Sequence, residues 1–126
     1  MDKKEALKIL TYLIEEDDII PDEMGIFGLN DDIELINKYG AVSKEIAILM
    51  AEGALSLSNA NLTVSVTGVA GPGGGTKINP VGRVHMGIAK KNKKTEHFSY
   101  LFENNGREFI RQSTTIKALE NILKNL

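Results

Sequence analysis

Five glycines and one proline fall within nine residues of this chain, Gly68-Val69-Ala70-Gly71-Pro72-Gly73-Gly74-Gly75-Thr76. A strand-like run precedes them and Pro80-Val81-Gly82 opens another. Glycine permits positive φ, so the backbone can turn where other residues would clash. Without side chains in the way, main-chain N–H groups can approach a ligand, and such a loop can cradle an anion. Pro72 limits the freedom that the glycines bring. A plain surface turn is the bland alternative. A buried-type strand on one side and a second strand on the other favour a site.

Two common glycine motifs are excluded. A P-loop needs Gly-Lys-Ser/Thr running into a helix, whereas the order here is Gly75-Thr76-Lys77, followed by a strand-like run. A dinucleotide-binding fingerprint also needs a helix directly after its glycines. Simple NTPase and Rossmann readings go with them.

The strands around the loop follow from alternation. Leu62, Val64 and Val66 share one face of a strand over 62–67, and Thr63, Ser65 and Thr67 share the other. Two roles are open to Thr67: reaching into the loop's cavity, or bonding the loop backbone. A second strand over 81–89 has Val84, Met86 and Ile88 on one face and Arg83 and His85 on the other. A third over 94–102 presents Phe98, Tyr100 and Phe102. The basic run Lys90-Lys91-Asn92-Lys93-Lys94 between them reads as a solvated hairpin turn.

Helices flank this region. Residues 2–16 carry Ala6, Ile9, Leu10, Leu13 and Ile14 at helical spacing. Pro21, Gly25 and Gly28 break the stretch that follows. Asp31 or Asp32 can cap a short helix through Ile33, Leu35, Ile36 and Tyr39, a better reading than a metal site that lacks a third carboxylate. Ser43 is a good N-cap for a helix containing Ile46, Leu49, Met50, Gly53, Ala54 and Leu57. A last helix over 106–126 has Phe109, Ile116, Leu119, Leu123 and Leu126 as its apolar stripe. Arg107 and Arg111 crowd its N-terminus, where positive charge is unhelpful unless an anion or carboxylate is near. Pairing with Glu103 or Glu108 and ligand binding are both open to them.

At 126 residues a single domain is expected over 1–126. A net charge of −2 and one short basic run give no support to nucleic-acid binding. With no cysteine, disulfides and thiolate metal sites are excluded, and a reducing cytoplasm suits the chain. No signal peptide or membrane span is expected. His85 and His97 lie on adjacent strands without a third ligand at useful spacing, so neither a metal nor a cofactor is expected. No serine sits in a nucleophile elbow.

Five blocks occur in a telling order: Tyr39-Gly40-Ala41-Val42-Ser43, Met50-Ala51-Glu52-Gly53-Ala54, the stretch from Val66-Thr67-Gly68 through Gly75-Thr76, Pro80-Val81-Gly82-Arg83-Val84, and Gly106-Arg107-Glu108-Phe109-Ile110-Arg111. Together, over about 33–126, they resemble the C-terminal domain of the competence/damage-inducible protein CinA, the nicotinamide-nucleotide amidase (PncC) family. The resemblance implies a three-layer α/β/α fold around a small mixed sheet, and an oligomer. It implies hydrolysis of the carboxamide of nicotinamide mononucleotide, by serine acylation assisted by lysine and tyrosine, without a metal. By the family pattern Thr67, Gly68, Gly71, Gly73, Gly74, Gly75, Thr76 and Arg107 line the nucleotide site.

The chain departs from the family before Gly40. The family carries a Glu-Ser-Cys-Thr-Gly-Gly loop there, then a Gly-Ser-Ser segment and a Tyr-Ser-Asn-x-x-Lys stretch that hold the catalytic serine, tyrosine and lysine. None of these occurs in 19–37, and the first serine of the chain is Ser43. Residues 17–32 read as a divergent connector, and the strands that carry those elements are expected to be missing. Arg83 stands where the family commonly has threonine. The expectation is an inactive family domain that keeps a loop for a nicotinamide mononucleotide-like nucleotide or phosphate. Two alternatives stand beside it: an amidase with Thr67 or Ser65 as replacement nucleophile, and a structural subunit completing its shortened sheet with another chain.

Overall fold

The structure is a computed structural model, and it describes residues 30–126. The expected helix over 2–16 and most of the connector over 17–32 lie outside the described residues. Six elements follow in order: α1 (Asn30–Tyr39), α2 (Lys44–Leu57), β1 (Leu62–Gly68), β2 (Arg83–Lys90), β3 (Glu96–Leu101) and α3 (Arg107–Asn125). Asp31 and Asp32 lie within the first turn of α1. Ser43 caps α2 as expected, its hydroxyl accepting from the Ile46 amide at 3.3 Å.

The described strands form one antiparallel sheet in the order β1-β2-β3. The expected small mixed sheet is thus represented here by antiparallel pairings. β1 pairs with β2 from Leu62↔Lys90 to Gly68↔Val84. Asn92, at φ 61, turns the hairpin between β2 and β3, a conformation asparagine tolerates better than most residues.

The two sheet faces are covered differently. On one, Leu62, Val64, Val66, Val84, Met86 and Ile88 form a core with Ala118 and Ile122 of α3, and Phe98, Tyr100 and Phe102 pack against it. All three aromatic positions lie on the face that alternation assigned them. On the other face the sheet meets α2 through hydroxyls. Thr63 donates to the Ala51 carbonyl at 2.6 Å, Ser65 to that of Ala47, and Thr67 to that of Ala41 at 2.7 Å. A two-residue strand step of about 6.8 Å nearly matches a four-residue helix step of about 6 Å. Thr63 and Ser65 therefore meet successive turns of α2, each using a carbonyl lone pair left over by the helix, and Thr67 reaches the segment before α2. Gly87 makes this approach possible, since a Cβ there would collide with the Ala47 carbonyl. α1 closes the layer, with Leu35 and Ile36 against Ile46 and Met50. The result is three layers, α1 and α2 over the sheet over α3.

The stripe expected for α3 is not the buried one. Ile110, Thr114, Ala118, Asn121 and Ile122 face the sheet. Phe109, Ile116, Leu119, Leu123 and Leu126 are 40%, 56%, 45%, 70% and 47% exposed. The smaller Ala118 and Thr114 face the sheet where α3 crosses β1 and β2. Asn121 is affordable there because its amide donates to the Tyr100 hydroxyl at 2.9 Å. Among the described residues, no helix is long and apolar enough to cross a membrane.

Candidate anion-binding site

The glycine stretch leaves the sheet where β1 ends. Val69 extends the ladder by one bridge, its amide donating to Arg83 and its carbonyl accepting from Gly82, at 2.9 and 2.8 Å. The chain then departs for residues 70–80. Gly71 turns it at φ 80, with Val81 packed so closely that any Cβ would meet its side chain. The Gly71-Pro72 bond is cis.

A small turn closes the far side. Thr76 donates its amide to the Asn79 carbonyl, and Asn79 returns its amide to Thr76 Oγ1, both at 2.9 Å. The Asn79 side chain then reaches the Val42 carbonyl at 2.9 Å. This ties the loop to the segment before α2.

Arg107 approaches from the other layer. Its Nη1 donates to the Gly71 carbonyl at 3.1 Å, across 36 residues of sequence. Gly106, the N-cap of α3, offers no side-chain cap. The start of a 19-residue helix and a guanidinium thus stand beside the glycine bend. Among the described residues, no backbone hydrogen bond takes up the amide of Gly71, Gly73, Gly74 or Gly75. Such amides, a helix start and an arginine together suit an anion such as a phosphate.

The predicted site residues divide accordingly. Gly71, Gly73, Gly74 and Gly75 belong to one bend, and Arg107 is brought to it. Gly68 lies at its base, closed in by Arg83 and Val84. Thr76 uses its hydroxyl to cap the turn at Asn79. Thr67 is 1% exposed and bonds Ala41, on the segment before α2, instead of the loop. Ser65 is fully buried, its hydroxyl donating to Ala47 and accepting from the Gly87 amide at 3.2 Å. Arg111, exposed, lines a shallow cavity with Glu108 and Gln112. Asn79 was missed by sequence reasoning; the Asn-Pro pair at 79–80 was a signal for its turn.

A histidine pair lies on the α2 side of the sheet. His85 Nδ1 and His97 Nε2 are 3.1 Å apart, and the rings stack at 5.3 Å between centroids. Burial, then His97 and Arg83, push the His85 pKa down to about 4 against the pull of Glu45. Burial and Lys44 lower that of His97. A neutral pair satisfies itself, one nitrogen donating and the other accepting. Among the described residues, no three His, Cys, Asp or Glu groups are placed to hold a metal. A separate cavity of about 760 Å³, lined in part by Lys90, Lys93, Lys94 and Lys124, opens at the opposite end of β1 from the glycine bend.

Comparisons with known proteins bear on the family and the fold. Residues 27–126 match the family model of the CinA C-terminal domain. A competence-damage inducible protein of Clostridium botulinum is 43% identical over 105 residues, covering 82% of this chain and 25% of that protein. A CinA-like protein of Endomicrobium trichonymphae is 45% identical over 104 residues, covering 82% of this chain and 23% of that protein. The chain therefore spans about a quarter of the length of these curated relatives. The crystal structure of a competence/damage inducible protein from Agrobacterium tumefaciens superposes with a TM-score of 0.73 at 39% identity, over 81% of this chain and 61% of that one. A CinA superfamily structure from Escherichia coli gives 0.71 at 27% identity, over 82% and 58%.

Proposed function

The chain belongs to the CinA C-terminal domain family, and from that premise we propose that it binds an anionic nucleotide without hydrolysing it. The ligand class is a phosphate-bearing nucleotide resembling nicotinamide mononucleotide. The glycine bend takes the phosphate on its amides, and Arg107 supplies the countercharge. The observation that carries this reading is the Arg107–Gly71 hydrogen bond beside four amides that find no backbone partner among the described residues.

Loss of hydrolysis follows from chemistry. Acylation needs a nucleophile with a base in reach. The family's serine, tyrosine and lysine motifs are absent from 19–37. The replacement candidates Thr67 and Ser65 are buried, with their protons committed to carbonyls. A site stripped of nucleophile and base retains roughly 10³–10⁴-fold catalysis over water at best, by analogy with triad deletions.

Calorimetry with nicotinamide mononucleotide, paired with an ammonia-release assay on the same sample, tests both halves. Binding without ammonia is the expected result. Turnover comparable to a complete amidase overturns the inactive reading, and its loss in Thr67→Val would identify the replacement nucleophile. Absence of binding to both nicotinamide mononucleotide and inorganic phosphate overturns the site.

A further inference from the structure

The lysine-lined cavity at the other end of β1 has no part in the reading above. Its volume is about 760 Å³, within the roughly 300–1,000 Å³ of small-molecule sites. Lys90, Lys93, Lys94 and Lys124 line it, against the single carboxylate of Glu96. The chain as a whole carries a net charge of −2, so this positive charge is a local concentration.

The fold gathers these lysines from two places. Lys90 ends β2, and the Lys93 amide donates to the Lys90 carbonyl at 3.1 Å, which curls the hairpin beside the cavity. Lys124 stands in the last turn of α3. Lys90 Nζ donates to the Asn125 carbonyl at 2.7 Å and holds that turn against the end of β2. Lysines near a helix C-terminus commonly serve its unpaired carbonyls. Lys90 does this with one of its three donors. The helix end carries about half a negative charge, and Glu96 adds one. The four ammonium groups exceed these by about two and a half charges, or by about one and a half with a free carboxylate at Leu126. Among the described residues the one ion pair joins Lys117 to Glu120, so no carboxylate there pairs with the cavity lysines. Buried Ile88 and half-buried Phe98 add an apolar lining.

We infer that this cavity binds a small oligophosphate anion, free or carried by a nucleoside. Ammonium groups are compact point charges that suit phosphate oxygens. Several of them around one cavity call for several phosphates close together. The bounded volume suits a small molecule, and the apolar lining suits the ring of a nucleoside. The glycine bend lies at the opposite end of β1, so the two sites fill independently.

The test titrates the full chain with tripolyphosphate and, separately, with adenosine triphosphate, without added metal. His97 also lines the cavity and is one of two histidines in the chain, so its imidazole proton resonances report occupancy by NMR. A saturable shift of these resonances is expected with both probes, at a Kd below a millimolar that rises as salt is added. Lys93→Gln and Lys94→Gln together are expected to raise that Kd roughly tenfold or more, and Lys124→Gln about threefold. Lys38→Gln, exposed in the last turn of α1, is expected to leave it within about twofold. Far-UV circular dichroism checks folding, and Lys124→Gln stands in if the double variant fails to fold. Tighter binding of adenosine triphosphate assigns the ligand to nucleotides and equal binding assigns it to the phosphate chain alone; both uphold the site. Unmoved His97 resonances at millimolar probe overturn it. So does a shift that the lysine substitutions leave unchanged. Nicotinamide mononucleotide at the glycine bend is read by calorimetry, so either site can fail without the other.

Discussion

Arg107 donates to the carbonyl of Gly71 at 3.1 Å, and this bond joins α3 to the loop that leaves β1. The guanidinium fixes the bend from outside while keeping its charge beside the loop amides. Hydrogen bonds to a charged group contribute about 1.5–3 kcal/mol. Arg107→Ala is therefore expected to weaken binding of nicotinamide mononucleotide or inorganic phosphate about 10- to 100-fold by calorimetry. Arg111→Ala, one turn further along α3 and exposed, is expected to change it less than threefold, corresponding to roughly 0.6 kcal/mol.

The hydroxyls of Thr63 and Ser65 join β1 to α2, and that of Thr67 joins it to Ala41, on the segment before α2. Ser65 does most, since it also accepts from the Gly87 amide at 3.2 Å. Ser65→Ala removes both of these hydrogen bonds, each contributing about 0.5–1.5 kcal/mol, while the Gly87 amide keeps its place in the β1–β2 ladder. At roughly 2–8 °C per kcal/mol over the domain sizes that bracket this one, a thermal melt is expected to move down by several degrees. Thr67→Val removes one donor while the Ala41 carbonyl retains acceptor options, so a smaller fall of about 1 kcal/mol is expected.

Gly87 is the point of closest approach between β2 and α2. A methyl group there meets the Ala47 carbonyl, part of a helix backbone that cannot rotate aside. Gly87→Ala is expected to cost about 1–3 kcal/mol, the usual range for overpacking. A denaturant titration with an unchanged m-value checks it.

Much of this arrangement is legible in the sequence. Alternation placed Leu62, Val64 and Val66 on one face and the three hydroxyl residues on the other, and the antiparallel pairing of β2 with β3 followed from the lysine-rich turn. Alternation alone implies that a hydroxyl face looks at water. It cannot tell that the helix carbonyls of Ala47 and Ala51 stand opposite, because hydroxyls on a strand suit either partner. The site is legible in the same partial way. Glycine density marked the bend, and the resemblance brought Arg107 to it. The commitment of Thr67 to Ala41, 26 residues earlier, is a tertiary contact that local pattern does not encode. α3 misleads for a different reason. Its strongest apolar residues lie outside, while Asn121 and Thr114 occupy the core by pairing with Tyr100 and Ile110.

The two faces of α3 can be separated by stability alone. Ile122 is 1% exposed and Leu123 is 70% exposed. Ile122→Ala removes buried methyl groups and is expected to cost about 2–5 kcal/mol. Leu123→Ala is expected to stay within about 0.5 kcal/mol of wild type in dilute solution, as surface changes do. Denaturant unfolding at low micromolar concentration checks both, and equal costs would contradict the orientation of the helix.

The histidine pair gives the chain an acid-sensitive joint. The His85 pKa is about 4 in the folded state against an ordinary 6.5, and that of His97 is lowered as well. An unfolded chain then binds more protons than the folded one between these values, so stability falls as pH falls. The contribution is fully present above about pH 6.5 and is lost progressively on acidification toward pH 4 and below. Charge is hard to accept here first because both rings are partly buried, and then because Arg83 near His85 and Lys44 near His97 repel it, with Glu45 opposing them. With both rings protonated, His85 Nδ1 and His97 Nε2 would be two donors facing each other at 3.1 Å. The thermal midpoint is expected to drop between pH 7.5 and pH 5, where exposed carboxylates remain largely ionised. His85→Gln keeps a hydrogen-bonding amide without a titrating group, so its midpoint is expected to fall less over the same interval. An identical fall in wild type and His85→Gln would assign the acid sensitivity to other groups.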